Sequence, residues 1–67
     1  MINIKVNSIS HQFDEHITLE SLLKRMDIAT KGIAVAINLH VVDRTAWKYQ
    51  TFLDGDEILI IKATQGG

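Results

Sequence analysis

Ile2, Ile4 and Val6 alternate with Asn3 and Lys5 at the start of the chain, the two-residue period of a strand with one buried face. Asn7-Ser8 supplies a turn, and a second short strand over about 9 to 14 returns from it, so the first segment reads as a hairpin. At Thr18 the period changes. Leu19, Leu22, Leu23 and Met26 form one stripe of a helix, with Thr18 as its N-cap and Glu20 in the first turn, where the helix dipole favours an acid. Gly32 follows a few residues later, and Ile33-Ala34-Val35-Ala36-Ile37 is apolar throughout, as a strand covered on both faces or shared with a partner would be. Asn38 to His40 turn the chain into Val41-Val42. From Asp43 to Phe52 the pattern weakens, and Arg44-Thr45-Ala46-Trp47 reads as a short turn or single helical turn packing Trp47 over an edge of the core. Asp54-Gly55-Asp56 is a turn, and Glu57-Ile58-Leu59-Ile60-Ile61-Lys62 is the strongest strand in the chain.

These elements bury their stripes economically if the first and last strands pair in the middle of a sheet that carries the helix on one face. The expected fold is therefore α+β, of the ubiquitin-like β-grasp type: a mixed sheet with one main helix packed on one face. It forms a single domain over residues 1–67 with a C-terminal tail over 63–67. That tail has no cap, no large apolar anchor and no turn residue before its glycines. Nothing local offsets the roughly 1–2 kcal/mol per residue lost on fixing a backbone, so it is expected to be mobile in the free protein.

Composition narrows the chemistry. At 67 residues, folding buries only about 60% of the unfolded surface, and a deep enclosed active site is not expected. Seven Lys+Arg against eight Asp+Glu give a formal charge of −1 with no basic stripe, which argues against an electrostatically driven nucleic-acid binder. The absence of cysteine excludes a disulfide, a thiolate metal site, a thiol nucleophile and a side-chain persulfide. No charged-then-apolar leader precedes Ile2, and no apolar run approaches the roughly 20 residues that span a bilayer. A soluble, reducing and cytoplasmic location, such as bacterial cytosol or plastid stroma, is expected, with no membrane or nucleic-acid partner.

His11, Asp14, Glu15, His16 and His40 are the candidates for acid–base or metal chemistry. They stand where solvated polar residues belong in any case and show no ligand spacing, so no catalytic residue and no metal site are expected. Ser8, Ser10 and Ser21 have no nucleophile-elbow context, and the four glycines make no phosphate-binding loop. Ser21-Leu22 after Glu20 is reminiscent of the attachment serine of acyl and peptidyl carriers. Those carriers are acidic helical bundles, whereas this chain is mostly strand and nearly neutral.

Two features remain. Residues 58 to 61 are all large and apolar, yet one helix covers one face of a sheet. If Ile58 and Ile60 face the helix, Leu59 and Ile61 face outward with Glu57. By the same alternation Val35 and Ile37 are core, and Ala34 and Ala36 are small outward residues that let another surface approach. Flanking loops could cover this face, but the strand runs straight into the tail, which favours a partner. The second feature is Gly66-Gly67. Two residues without Cβ atoms fit a channel too narrow for side chains, and the α-carboxylate beyond them becomes an electrophile once another enzyme activates it.

Ala34-Val35-Ala36-Ile37-Asn38, Val41-Val42, Arg44 and Trp47, Asp54-Gly55-Asp56-Glu57-Ile58-Leu59 and the terminal Gly66-Gly67 together resemble the ThiS family, the sulfur carriers of thiamine biosynthesis. The resemblance covers the whole chain. It departs at the Asn38-to-Val41 turn, which lacks a glycine that many relatives carry, and at Asp43, where proline is common. What it implies is a carrier rather than an enzyme. A ThiF-like adenylating enzyme would convert the Gly67 carboxylate into an acyl-adenylate. A sulfur donor such as a cysteine desulfurase would then leave a thiocarboxylate (1-thioglycine), and thiazole synthase would take the sulfur. Gly66 and Gln65 would enter the partner's channel, while Leu59, Ile61, Ala34 and Ala36 would dock. No cofactor would be bound by the chain itself. The small subunit of molybdopterin synthase, a ubiquitin-like modifier and a plain β-grasp interaction module remain as alternatives.

Overall fold

The computed structural model describes residues 1–62 of the chain. In order along it are β1 (Ile2–Val6), β2 (Ile9–Phe13), α1 (Leu19–Arg25), β3 (Ile33–Ile37), β4 (His40–Val41), a 3₁₀ turn at Arg44–Ala46 and β5 (Glu57–Lys62). The strands form one five-stranded sheet in the order β2-β1-β5-β3-β4. The central β1 and β5 run parallel, and the remaining pairs are antiparallel. First and last strands thus meet in the middle, with α1 packed on one face, and the β-grasp expectation holds.

Both hairpins turn on two residues with positive φ: Asn7 and Ser8 at 49° and 73°, and Asn38 and Leu39 at 49° and 71°. This is the type I′ geometry, whose twist matches that of paired strands, and asparagine tolerates its first position better than most residues. A two-residue turn also fixes register, setting Val6 opposite Ile9 and Ile37 opposite His40.

At the start of α1 the Thr18 Oγ1 accepts from the Ser21 N–H at 3.3 Å. The Leu19 and Glu20 N–H groups donate to the carbonyls of Gln50 and Trp47 at 2.9 and 3.0 Å. The donors that a first helical turn leaves open are thereby used. The other end closes at Asp27, not at Gly32. Asp27 has φ 56°, its N–H reaches the Lys24 carbonyl at 3.0 Å, and the Ile28 N–H reaches that of Leu23 at 3.0 Å. This is the paired hydrogen-bond signature of a Schellman cap, with aspartate where glycine is usual. Gly32, at φ +75°, instead serves the entry to β3.

The core lies between α1 and the sheet. Ile4, Leu19, Leu22 and Leu23 are fully buried, and Ile58 and Val35 nearly so; burial of each such side chain contributes about 1.5–3 kcal/mol. Trp47 and Phe52, from the irregular stretch, join the same core. Arg44 explains why that stretch is ordered. Its Nη2 donates to the Thr30 carbonyl at 2.8 Å and the Ile33 carbonyl at 3.3 Å. Its guanidinium lies 4.4 Å from the Trp47 ring centroid, while the Trp47 Nε1–H donates to the Val42 carbonyl at 3.1 Å. Stacking and forked donation need arginine rather than lysine. Among the described residues no helix is long and apolar enough to cross a membrane.

Candidate functional site

Strand β5 sorts its residues by face as alternation requires. Ile58 is 1% exposed, while Leu59 and Ile61 are 46% and 48% exposed on the face away from α1. Ile60 is half-buried against the core rather than sealed within it. The outward surface continues onto β3 and β4, because Ala34 pairs in register with Ile61 and Ala36 with both Leu59 and Val41. Ala34 is exposed, as expected. Ala36 is not: only 6% of it is accessible. It points outward but is flanked by Leu59 on one side and Val41 on the other, side chains large enough to roof over a single methyl. Ala36 is therefore the floor of the patch, and the expectation that it is an outward contact residue needs that correction.

Val41 is the member that sequence reasoning missed. It is 74% exposed and completes an apolar strip of Ile61 and Leu59 on β5 and Val41 on β4, with Ala36 of β3 between them. A two-residue turn at Asn38-Leu39 would have placed Val41 opposite Ala36, so the signal was present in the chain. Leu39, at the tip of the turn, is 92% exposed. Beside it, a concavity of about 180 Å³ lies between the two hairpin turns and over β5. Glu57 and Lys5 stand side by side in register at the polar margin of this face.

The acidic turn before β5 is structural. Asp54 Oδ1 accepts from the Asn3 N–H at 2.7 Å, and the two Asp56 oxygens accept from the Leu53 N–H at 2.8 Å and from Asn38 Nδ2 at 3.0 Å. Asn38 Oδ1 in turn accepts from the Glu57 N–H at 3.0 Å. These bonds start β5 in the right register beside β1 and β3.

The residues weighed for chemistry are dispersed. His11 rests against Phe13, ring centroids 6.0 Å apart, and Asp14 Oδ1 accepts from the His16 N–H at 2.8 Å in a local turn. No group of three His, Cys, Asp or Glu side chains converges among the described residues. Ser21 is held in the helix cap, its Oγ 3.1 Å from Thr18 Oγ1. Gln65, Gly66 and Gly67, and with them the expectation of a mobile tail over 63–67, lie outside the described residues.

A mixed five-stranded sheet with parallel central strands, one helix on one face and an apolar strip on the other defines a ubiquitin-like β-grasp protein. The family model described as the ThiS family matches residues 2–67, and the chain belongs to that family. It is 38% identical over 50 residues to the sulfur carrier protein ThiS of Escherichia coli strain K12, a match spanning 75% of this chain and 76% of that protein. Its fold is similar to the crystal structure of the thiamine biosynthesis protein ThiS from Geobacter metallireducens. There the TM-score is 0.84 at 28% identity, over 98% of this chain and 100% of the other. A solution structure of a thiamine biosynthesis protein from the same organism matches with TM-score 0.74 at 28% identity, over 98% and 88% of the two chains.

Proposed function

We propose that this chain is a sulfur carrier of thiamine biosynthesis, acting as a co-substrate rather than an enzyme. The observation that carries the reading is the family match, which runs through residue 67 and so includes the Gly66-Gly67 pair. An adenylating enzyme of the ThiF type transfers AMP from ATP to the Gly67 carboxylate and releases pyrophosphate. A sulfur donor then displaces AMP, leaving a thiocarboxylate, and thiazole synthase accepts the sulfur. The chemistry needs nothing from the folded domain except recognition. With no cysteine in the chain to hold a persulfide, the sulfur is carried as a thiocarboxylate, at Gly67. Gly66 and Gln65 precede it into the partner's channel, and the strip of Leu59, Ile61 and Val41 over Ala34 and Ala36 docks.

Intact mass after incubation with the adenylating enzyme, ATP and a sulfur source tests the reading. Exchange of one oxygen for sulfur at Gly67, located by fragmentation, is the expected result. An isopeptide adduct to another protein, or no adduct at all, would instead point to a modifier or an inert interaction module.

A further inference from the structure

The backbone of β1 leaves β5 early. Lys5 and Val6 are opposite Glu57 and Ile58, the Asn7 N–H donates to the Ile58 carbonyl at 2.9 Å, and the chain then reverses through the type I′ turn at Asn7-Ser8. On its other edge β5 stays paired with β3 as far as Lys62 opposite Ile33. Ile60, like Ile58, directs its peptide groups toward the β1 edge, where among the described residues β1 no longer supplies main chain to meet them. The Asn7 side chain takes that place: its Oδ1 accepts from the Ile60 N–H at 2.7 Å, and its Nδ2 donates to the Ile60 carbonyl over a longer 3.4 Å. A carboxamide has the donor and acceptor arrangement of a peptide unit, so Asn7 supplies one more rung to the β1–β5 ladder after β1 has ended.

We propose that Asn7 is a positioning residue for the C-terminal segment: its carboxamide holds β5 at Ile60, two residues before Lys62, so that the segment carrying Gly67 leaves from a fixed strand. The proposal rests on the carrier reading above. If residues 60–62 are ordered before docking, the adenylating enzyme does not have to order them on binding, and loss of the rung appears in KM rather than in kcat.

Asn7→Gly separates the two roles of this residue, because glycine adopts φ 49° at least as readily as asparagine and keeps the turn while deleting the carboxamide. Ser8→Gly is the control, altering the same turn without touching the rung. Amide exchange at Ile60 in Asn7→Gly should accelerate about tenfold relative to the wild-type chain, the factor that about one net hydrogen bond contributes. KM for the carrier in ATP–pyrophosphate exchange with the adenylating enzyme should rise roughly three- to tenfold, with kcat within about twofold. Ser8→Gly should match wild type in both readouts. Unchanged exchange at Ile60, an unchanged KM, or the same changes in Ser8→Gly would each overturn the proposal. Failure of the wild-type chain to be adenylated would instead remove the carrier reading, and the exchange measurement would still decide whether the rung exists.

Discussion

Single residues in this chain act through backbone groups more than through one another. Arg44 joins the carbonyls of Thr30 and Ile33 to the face of Trp47, holding the loop before β3 and the 3₁₀ turn together. Arg44→Lys should therefore lose the fork and the stacking at once and lower stability by about 1–3 kcal/mol, measured by urea denaturation. A variant as stable as wild type would show the guanidinium to be dispensable. At the other end of the chain the expected effect is on chemistry. Deleting Gly67, or replacing Gly66 with a bulky residue, should abolish adenylation while the melting temperature stays near that of wild type, since the buried core is built from residues 2–58. Thiocarboxylate formation on a chain lacking Gly67 would contradict its role.

At the scale of elements, α1 is short and depends on its ends. Seven residues are too few to hold a helix by propensity alone; the Thr18 cap, the carbonyls of Trp47 and Gln50 and the Schellman closure complete it. Asp27 occupies the left-handed position of that closure at φ 56°, which costs an L-residue about 1–2 kcal/mol. Asp27→Gly should remove the strain and raise the melting temperature by a few degrees, as about 0.5–1 kcal/mol does in a domain of this size. A fall would mean that the aspartate side chain contributes more than its backbone strain costs. Strand β5 offers the complementary experiment. Ile58→Ala should cost about 2–5 kcal/mol, and Ile60→Ala less, because Ile60 is only half-buried.

At the scale of the whole molecule, the two faces of the sheet differ in what covers them, and the proposed docking belongs to the open one. One face is sealed by α1, Trp47 and Phe52, and the other exposes an apolar strip on β5 and β4. Leu59→Asp and Val41→Asp should each weaken association with the adenylating enzyme at least tenfold in titration calorimetry while changing stability by less than about 1 kcal/mol, as substitutions at exposed positions do. Unfolding caused by aspartate at Leu59 would mean that the outward face is structural.

What the sequence determined by itself was what depends on local periodicity or on the residues themselves: strands β1, β2, β3 and β5, the helix stripe and its Thr18 cap, the inward Ile58 and outward Leu59 and Ile61, and the Gly-Gly end, but not β4, which begins at His40 and not after it. Side-chain direction follows from spacing along the chain, and no distant residue is needed to read it. Tertiary structure decided what depends on neighbours across strands. Ala36 is outward by parity yet covered, because Leu59 and Val41 flank it in register. Asp27 closes the helix, and Gly32 does not, because the closing bonds depend on where the chain must turn back toward the sheet. Asn7 reads as an ordinary turn residue, and only the pairing of strands at opposite ends of the chain brings its carboxamide to Ile60.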